Sequence, residues 1–331
     1  HMKEFQAVVT ACEKEKDYWK ISLDRTAFFP EGGGQAGDCG LLNDTEIFDT
    51  HEKEGIIWHY AQAPLEPGTE VLGKIDWNIR FSRMQQHTGE HIVSGLVHAR
   101  FGYDNVGFHL GDPEVTLDFN GSITREELAE IELQANQAVF ANLPVQISCP
   151  SREELASLEY RSKIEIQGQV RIVTIPGIDV CACCAPHVER TGEIGLIKLT
   201  SVQSHRGGVR ITLLAGDRAL LDYREKEAGV KAVSVLLSAK EDRIAAAVER
   251  LKQEAFDLRG RLMSLNLARV REKAAAVPEG AADPVFFEAG LDMDTCREFV
   301  NLLTARCTGT ASVFSGNDTE GWRYILGSRT E

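Results

Sequence analysis

Over residues 3–75 apolar and polar side chains alternate in short runs, most clearly in Phe5-Gln6-Ala7-Val8-Val9-Thr10 and Trp19-Lys20-Ile21-Ser22-Leu23. This is the period of a strand with one face buried. Turn formers separate the runs: Pro30-Glu31-Gly32-Gly33-Gly34, then Gly37 and Gly40. A small N-terminal β-barrel-like domain is expected over 3–78. Beyond it the period lengthens to that of a helix over 80–100, with a strand at 115–119. A second helix is expected over 124–141, opened by a capping box of Thr124 and Glu127 and carrying Leu128, Ile131, Ala135 and Val139 on one face. Ser151 and Glu154 form another box on a short helix, and strands are expected at 170–175, 195–199 and 208–214. Helices beside a mixed or antiparallel sheet predict an α+β domain over 79–216.

From 217 the sequence turns to Ala, Leu, Glu, Lys and Arg. Ile244, Val248, Leu251, Ala255, Leu258, Leu262 and Leu265 step by 4, 3, 4, 3, 4 and 3, the a/d seam of three heptads. The seam predicts a coiled coil or helical hairpin and a homodimer contact, through 244–265 or through the C-terminal domain. The alternative is an amphipathic helix packed on its own domain. Val277-Pro278-Glu279-Gly280 ends the helix. A small α/β unit follows, with strands near 285–288, 310–314 and 322–326 around a helix at 294–306. The segment 217–331 is expected to act as helical linker and C-terminal domain.

Composition narrows the function. The chain has 331 residues, with 43% apolar and 26% charged side chains, which fits two or three folded domains and excludes a disordered chain. Lys and Arg number 36 against 50 Asp and Glu, a net charge of −14, so nucleic-acid contact requires a local basic patch. Such a patch is expected around Lys198, His205, Arg206 and Arg210, since residues 161–218 hold eight Lys or Arg and five Asp or Glu. Three of the eight cysteines crowd into 181–184 and the rest are scattered, which predicts a reducing cytoplasm rather than a disulfide framework. His1-Met2 reads as a remnant outside the natural sequence, and neither a signal peptide nor a membrane span is expected.

Two clips of metal-binding side chains stand out. In His87-Thr88-Gly89-Glu90-His91 the histidines lie one helical turn apart, so both imidazoles reach one ion. In Cys183-Cys184-Ala185-Pro186-His187 a thiolate and an imidazole are four apart, and Pro186 places them in a loop or at a helix start. Each clip alone has a structural alternative: two stacked histidines on any helix, or a buried cysteine beside a surface histidine. Together His87, His91, Cys183 and His187 supply the soft and borderline donors that suit zinc. Four protein ligands leave no open tetrahedral position, so either the metal becomes five-coordinate or one ligand is absent. Between residues 26 and 35 runs Thr26-Ala27-Phe28-Phe29-Pro30-Glu31-Gly32-Gly33-Gly34-Gln35, whose three glycines let backbone approach a ligand closely. Neither a P-loop lysine nor a strand-to-helix context accompanies it, so it does not read as a nucleotide-phosphate loop.

These segments resemble a known family. Thr26–Gln35 resembles the T-x-F-Y/F-P-E-G-G-G-Q segment of alanyl-tRNA editing proteins, and His87–His91, preceded by Met84-Gln85-Gln86, resembles their H-x-x-x-H. Cys183–His187 with Val188-Glu189-Arg190-Thr191-Gly192-Glu193 resembles their C-x-x-x-H, and Arg206–Arg210 with Gly216-Asp217-Arg218 continues the match. The resemblance runs from about residue 5 to 330. It implies a free-standing deacylase of the long AlaX type, with a β-barrel, a zinc-containing editing domain and a C-terminal domain. It further implies zinc on the two clips, Thr26, Gln86 and Glu90 as catalytic groups, and Gly32, Gly33, Gly34, Gln35, Arg206 and Arg210 as contacts to substrate or tRNA. Two departures stand out. The family's C-G-G-T-H is Cys-Cys-Ala-Pro-His here, and Gly327-Ser328-Arg329-Thr330-Glu331 stands where the family usually has a glycine-rich tail.

The implied reaction is hydrolysis, in trans, of the ester joining serine or glycine to the 3′-end of tRNA for alanine. A pocket sized for alanine cannot reject by binding alone a substrate differing by one hydroxyl or one methyl. A second site must therefore hydrogen-bond the serine hydroxyl, and Thr26 is the candidate for that contact. Two other classes fit some of the same residues. One is a tRNA-binding relative whose altered Cys-Cys-Ala-Pro loop has lost activity. The other is a zinc metalloprotease, since His87-x-x-Glu90-His91 also spells H-x-x-E-H with Glu90 as base. That protease would need a downstream Glu ligand rather than a Cys-x-x-x-His clip.

Overall fold

The alternation of the first 75 residues closes on itself. In the computed structural model, which describes residues 2–112, 114–162 and 169–329, six strands form a closed barrel in the order β1-β2-β5-β4-β3-β6. They are β1 (Glu4–Lys14), β2 (Trp19–Leu23), β3 (Gly40–Leu42), β4 (Thr45–Lys53), β5 (Ile56–Ala61) and β6 (Glu70–Ile75). Neighbours are antiparallel throughout, and β1 pairs with both β2 and β6, so no edge is left open. Alternate residues fill the lumen: Ala7, Val9, Ile21, Leu42, Ile47, Ala61, Val71 and Ile75, joined by Phe28 from the loop after β2.

Helix α1 (Trp77–Phe101) leaves the barrel directly. Asp76 caps it by accepting from the amides of Asn78 and Ile79, and Gly102, at φ +69°, stops it in the left-handed conformation. Residues 84–95 of α1 are buried on every side, which is why its polar side chains must find partners. The elements that follow are β7 (Asn105–Leu110), β8 (Val115–Phe119), α2 (Arg125–Phe140), β9 (Gln146–Ser148), α3 (Arg152–Ser157), β10 (Ile172–Ile175), β11 (Asp179–Ala182), β12 (Ile197–His205) and β13 (Gly208–Ala215), of which β7, α2, β11 and β13 pack on α1. These strands make a four-stranded sheet, β12-β13-β8-β7, and a three-stranded one, β11-β10-β9. Both capping boxes form as expected, at Thr124/Glu127 and Ser151/Glu154. The expected face of α2 packs with Ile92, Val93 and Val97 of α1 and with Leu117, Ile211 and Leu213. The strand expected at 195–199 runs on to His205 past a bulge between Leu199 and Ser201. Lys163 and Glu165, part of the basic-patch count, lie outside the described residues.

The chain divides between Lys226 and Glu227 into two units, within α4 (Gly216–Leu237). The second unit holds α5 (Ile244–Ala276), β14 (Val285–Glu288), α6 (Met293–Thr304), β15 (Thr310–Asn317) and β16 (Gly321–Ser328). Its sheet, β14-β15-β16, pairs β14 with β15 in parallel and β15 with β16 antiparallel, matching the α/β unit read from the sequence. Phe299, Val300 and Leu303 of α6 pack with Val270 and Ala274 of α5 and with Val313. The face of α5 that packs is thus at its C-terminal end. Most of the heptad seam is exposed, with Leu251, Leu258, Leu262 and Leu265 at 54%, 63%, 57% and 69%. Among the described residues no helix is long and apolar enough to cross a membrane.

Candidate metal and catalytic site

The two clips meet. His87 and His91 project from one face of α1, and Cys183 and His187 come from the segment that follows β11. That segment is neither helix nor strand, the loop alternative of the two that Pro186 allows. It is pinned by Arg171, whose guanidinium donates to the carbonyls of Cys183 (2.6 Å) and Ala185 (3.0 Å). The four donor atoms lie within 4.8 Å of one another. Cys183 Sγ is 3.4 Å from His187 Nε2 and 3.6 Å from His87 Nε2.

Each histidine is held from behind. His87 Nδ1 lies 3.0 Å from Gln35 Oε1, His91 Nδ1 lies 2.9 Å from Asp179 Oδ2, and His187 Nδ1 lies 3.1 Å from Thr88 Oγ1. The partner on each Nδ1 aims Nε2 toward the sulfur, the orientation that metal-binding histidines take from an outer ring of partners. Asp179 is in turn clamped by Arg161, with Nε and Nη2 at 2.8 and 2.9 Å from its two oxygens. Thr88 also accepts from the amide of Val188, tying the cysteine loop to α1.

Electrostatics single out one sulfur. Burial pushes Cys181 up to about 12 and also raises Cys184. At Cys183 burial acts the same way, but hydrogen bonds from His187, His87 and His91 overcome it and hold the group well below the usual thiol range. Cys183 is therefore the thiolate of the three. Burial, helped by the positive field of His91, pushes His187 down to about 3, which keeps its imidazole neutral. His91 goes the other way: burial opposes its charge, but Asp179 and Cys183 raise it to about 10. A thiolate with three oriented imidazoles is a donor set suited to zinc.

The glycine-rich segment is the roof. Gly32 and Gln35 exchange both backbone hydrogen bonds, at 3.0 and 3.1 Å, closing a tight turn. Gly34 has φ +82°, and a Cβ there would sit 2.7 Å from the Phe108 ring. The turn is locked to β7 by the Leu110 amide, which donates to Gly34 O. A Cβ on Gly33 would lie 3.6 Å from Cys184 Sγ. Two arginines of α1 hold this segment from below. Arg80 pairs with Asp38 and donates to Ala27 O, and Arg83 donates to Gly37 O. Gln35 is 1% exposed. Its oxygen is committed to His87, and its amide nitrogen has no hydrogen-bond partner among the described residues.

The other expected site residues are distributed as follows. Glu90 is buried with Oε1 2.7 Å from both Ser94 Oγ and Asn105 Nδ2, and Oε2 lies 3.8 Å from His91 Nε2 on the inner side of the site. Gln86 is buried, and both ends of its amide bond the backbone of Ala215, at 2.6 and 2.7 Å, which fixes α1 against β13. Thr26 lies between β2 and the glycine turn and bonds to His59 of the barrel. Arg206 is exposed at the β12–β13 turn with φ +47°. Arg210 donates from Nε and Nη2 to the two oxygens of Asp118, at 2.6 and 2.7 Å, and Lys198 pairs with Glu132, so part of the expected basic patch is neutralised in place. Asp179, Arg161, Asp38 and Arg80 were not legible beforehand. Each is a single charged residue far along the chain from its partner, with no spacing to mark it.

Residues 170–212 match the threonyl and alanyl tRNA synthetase second additional domain, and residues 1–79 match the class II (A) tRNA synthetases. The alanyl-tRNA editing protein AlaX-L of Pyrococcus horikoshii is 35% identical over 236 residues, covering 68% of this chain and 58% of that protein. The alanyl-tRNA editing protein Aarsd1 of Danio rerio is 28% identical over 324 residues, covering 92% of this chain and 77% of that protein. An alanine–tRNA ligase of Methanocella arvoryzae is 31% identical over 312 residues but extends far beyond the match, which covers 35% of it. This chain thus spans little more than half the length of the Pyrococcus relative. With the barrel, the glycine turn and the four converging donors in place, the chain belongs to the alanyl-tRNA editing family.

Proposed function

We propose that this chain is an aminoacyl-tRNA deacylase that hydrolyses, in trans, the ester of serine, or glycine, mischarged on tRNA for alanine. The observation that carries the reading is Gln35. Its oxygen orients a histidine of the four-donor cluster while its buried amide nitrogen keeps a hydrogen to give. A buried donor without a partner is costly, on the order of 1–3 kcal/mol, unless a ligand completes it. A carbonyl oxygen that gains negative charge during hydrolysis is such a ligand.

His87, His91, Cys183 and His187 would hold one zinc ion. When bound, it supplies either activation of water or anchorage of the substrate's amino group. Glu90 accepts a proton from the attacking water as its oxygen bonds to the ester carbon. The Gln35 amide donates to the former carbonyl oxygen. The bond from carbon to the ribose 3′-oxygen then breaks, that oxygen takes up a proton, and the amino acid leaves as a carboxylate. Gly32 and Gly33 leave room for the terminal nucleotide beside this centre, Gly34 admits the Phe108 ring against the turn and offers the substrate its backbone, and Arg206 and Arg210 contact the tRNA backbone. Thr26 hydrogen-bonds the serine hydroxyl. The editing site in this reading belongs to residues 79–216, with the barrel over 3–78 and the segment 217–331 as its flanking domains, in the cytoplasm.

A deacylation panel tests the reading. Seryl-tRNA(Ala) should be hydrolysed fastest, glycyl-tRNA(Ala) next, and alanyl-tRNA(Ala) spared. Full stability of all three esters in the presence of the zinc-loaded protein would overturn it, and cleavage of casein in the same preparation would turn attention to the H-x-x-E-H pattern.

A further inference from the structure

One buried titratable group lies outside the chemistry described above. His59 sits on β5 directly opposite Ile21 of β2 and is 0% exposed inside the barrel. Its Nδ1 lies 2.9 Å from Ile21 O, and its Nε2 lies 2.8 Å from Thr26 Oγ1. The Phe28 ring stands edge-on to it at 5.2 Å and fixes the ring plane.

These contacts set the direction of every hydrogen bond around Thr26. A carbonyl oxygen only accepts, so His59 Nδ1 carries a hydrogen. Burial pushes the imidazole down to about 4, so at neutral pH the ring has one hydrogen only. Nε2 is therefore a lone pair, and the Thr26 hydroxyl must donate to it. The Phe28 amide, 3.1 Å from Thr26 Oγ1, donates into one of the two lone pairs of that oxygen. One acceptor position remains on Thr26, and no donor.

We infer that His59 is a positioning residue for amino-acid selectivity: it takes the Thr26 proton, so that Thr26 meets the substrate as an acceptor only. The inference rests on the reading of Thr26 as the contact for the serine hydroxyl. A serine hydroxyl has a proton to give and completes the acceptor. Alanine and glycine have none and leave it unmet, so discrimination arises from an oxygen whose polarity is fixed before substrate arrives. Without His59 the hydroxyl is free to turn its own hydrogen toward the substrate or to bond water, and the distinction weakens.

The test is a double-mutant cycle in the full chain, read as the ratio of kcat/KM for seryl- over alanyl-tRNA(Ala). Thr26→Val and His59→Phe should each lower the ratio roughly 5- to 50-fold, the range expected for one lost selective hydrogen bond. The double variant should match the single ones, because His59 acts only through Thr26. His59→Asn is the second variant, used if His59→Phe does not fold: its shorter amide keeps a donor for Ile21 O but falls short of Thr26. An unchanged ratio in a folded His59 variant, equal losses on both esters, or multiplied losses in the double variant would overturn the inference while leaving the deacylase reading intact. A wild-type protein that hydrolyses neither ester removes both.

Discussion

Gln35 Oε1 lies 3.0 Å from His87 Nδ1, a hydrogen bond that ties the glycine-rich turn directly to one of the paired histidines of α1. The same side chain has two separable duties: its oxygen aims a metal-binding imidazole, and its nitrogen is a donor inside the site. Gln35→Glu keeps the acceptor for His87 and deletes the donor. It should retain metal and lose roughly 10²–10³-fold in kcat, the usual loss for one donor to a developing oxyanion. Gln35→Ala removes both duties and should in addition weaken metal binding roughly 10–100-fold. Parallel metal analysis and single-turnover rates separate the two, and wild-type turnover by Gln35→Glu would remove the donor from the mechanism.

Zinc should be found at about one per chain, by elemental analysis of protein purified without added metal. His91→Ala and Cys183→Ala should each lose the metal and deacylation together, because each removes one of four donors gathered within 4.8 Å. The second unit has its own core around Phe299 and Val270, so far-UV circular dichroism should retain the signal of α5. Either variant with normal turnover would show that the ligand assignment is wrong.

How much of this was legible in the sequence depended on whether the signal was local. The boxes at Thr124/Glu127 and Ser151/Glu154 contain both partners within four residues, and both helices start where the boxes say. The two clips were legible for the same reason: His87/His91 and Cys183/His187 each carry their geometry in their spacing. What pairs across the chain was not. Asp179 and Arg161 orient His91 from 88 and 70 positions away, and nothing in the sequence separates them from ordinary surface charges. Gln35 was expected among the tRNA contacts, and only the fold shows its oxygen on His87. The strand β7 was not expected, since Gly107 and a bulge between Asn105 and Gly107 break its alternation. Gln86 sat beside the histidine motif and read as chemistry, yet its amide is occupied by Ala215 at both ends.

His59 gives the fold a pH dependence of definite sign. Its imidazole titrates near 6.5 when exposed and is pushed to about 4 by burial in the folded barrel. Between those values the unfolded chain binds the extra proton, so the contribution is fully present above about pH 6.5 and is lost as pH falls toward 4. The full loss is on the order of 3 kcal/mol. Urea midpoints measured from pH 7 to pH 4 should fall, and His59→Phe should flatten that part of the curve. A curve unaltered by the substitution would mean that His59 is not the group responsible.

Arg206 and Arg210 differ in what each can give a phosphate. Arg206 is exposed at the tip of the β12–β13 turn, whereas Arg210 is already bound by Asp118 through two nitrogens. Arg206→Ala should therefore weaken tRNA binding and reduce the slope of log K against log salt by roughly one unit. Arg210→Ala should flatten the slope less, because part of its charge is offset in place. Filter binding across a salt series decides between them, and equal slopes in all three proteins would return both arginines to a structural role at the hairpin.

The exposed seam of α5 calls for a partner. Leu251, Leu258, Leu262 and Leu265 stand more than half exposed on one stripe of a 33-residue helix, while the packed face of the same helix uses Asn266, Val270 and Ala274 near its C-terminal end. An apolar stripe at heptad spacing is stable in water when a second helix covers it. Sedimentation of the full chain at increasing concentration should show a monomer–dimer equilibrium. Leu258→Glu, near the middle of the seam, should shift it to monomer with little change in melting temperature, since the side chain it replaces is 63% exposed and contributes little to the fold of one copy. If the wild-type chain sediments as a monomer throughout, the seam does not pair with itself. If Leu258→Glu instead lowers the melting temperature and leaves association unchanged, the seam packs on its own unit in solution, and the dimer must form elsewhere.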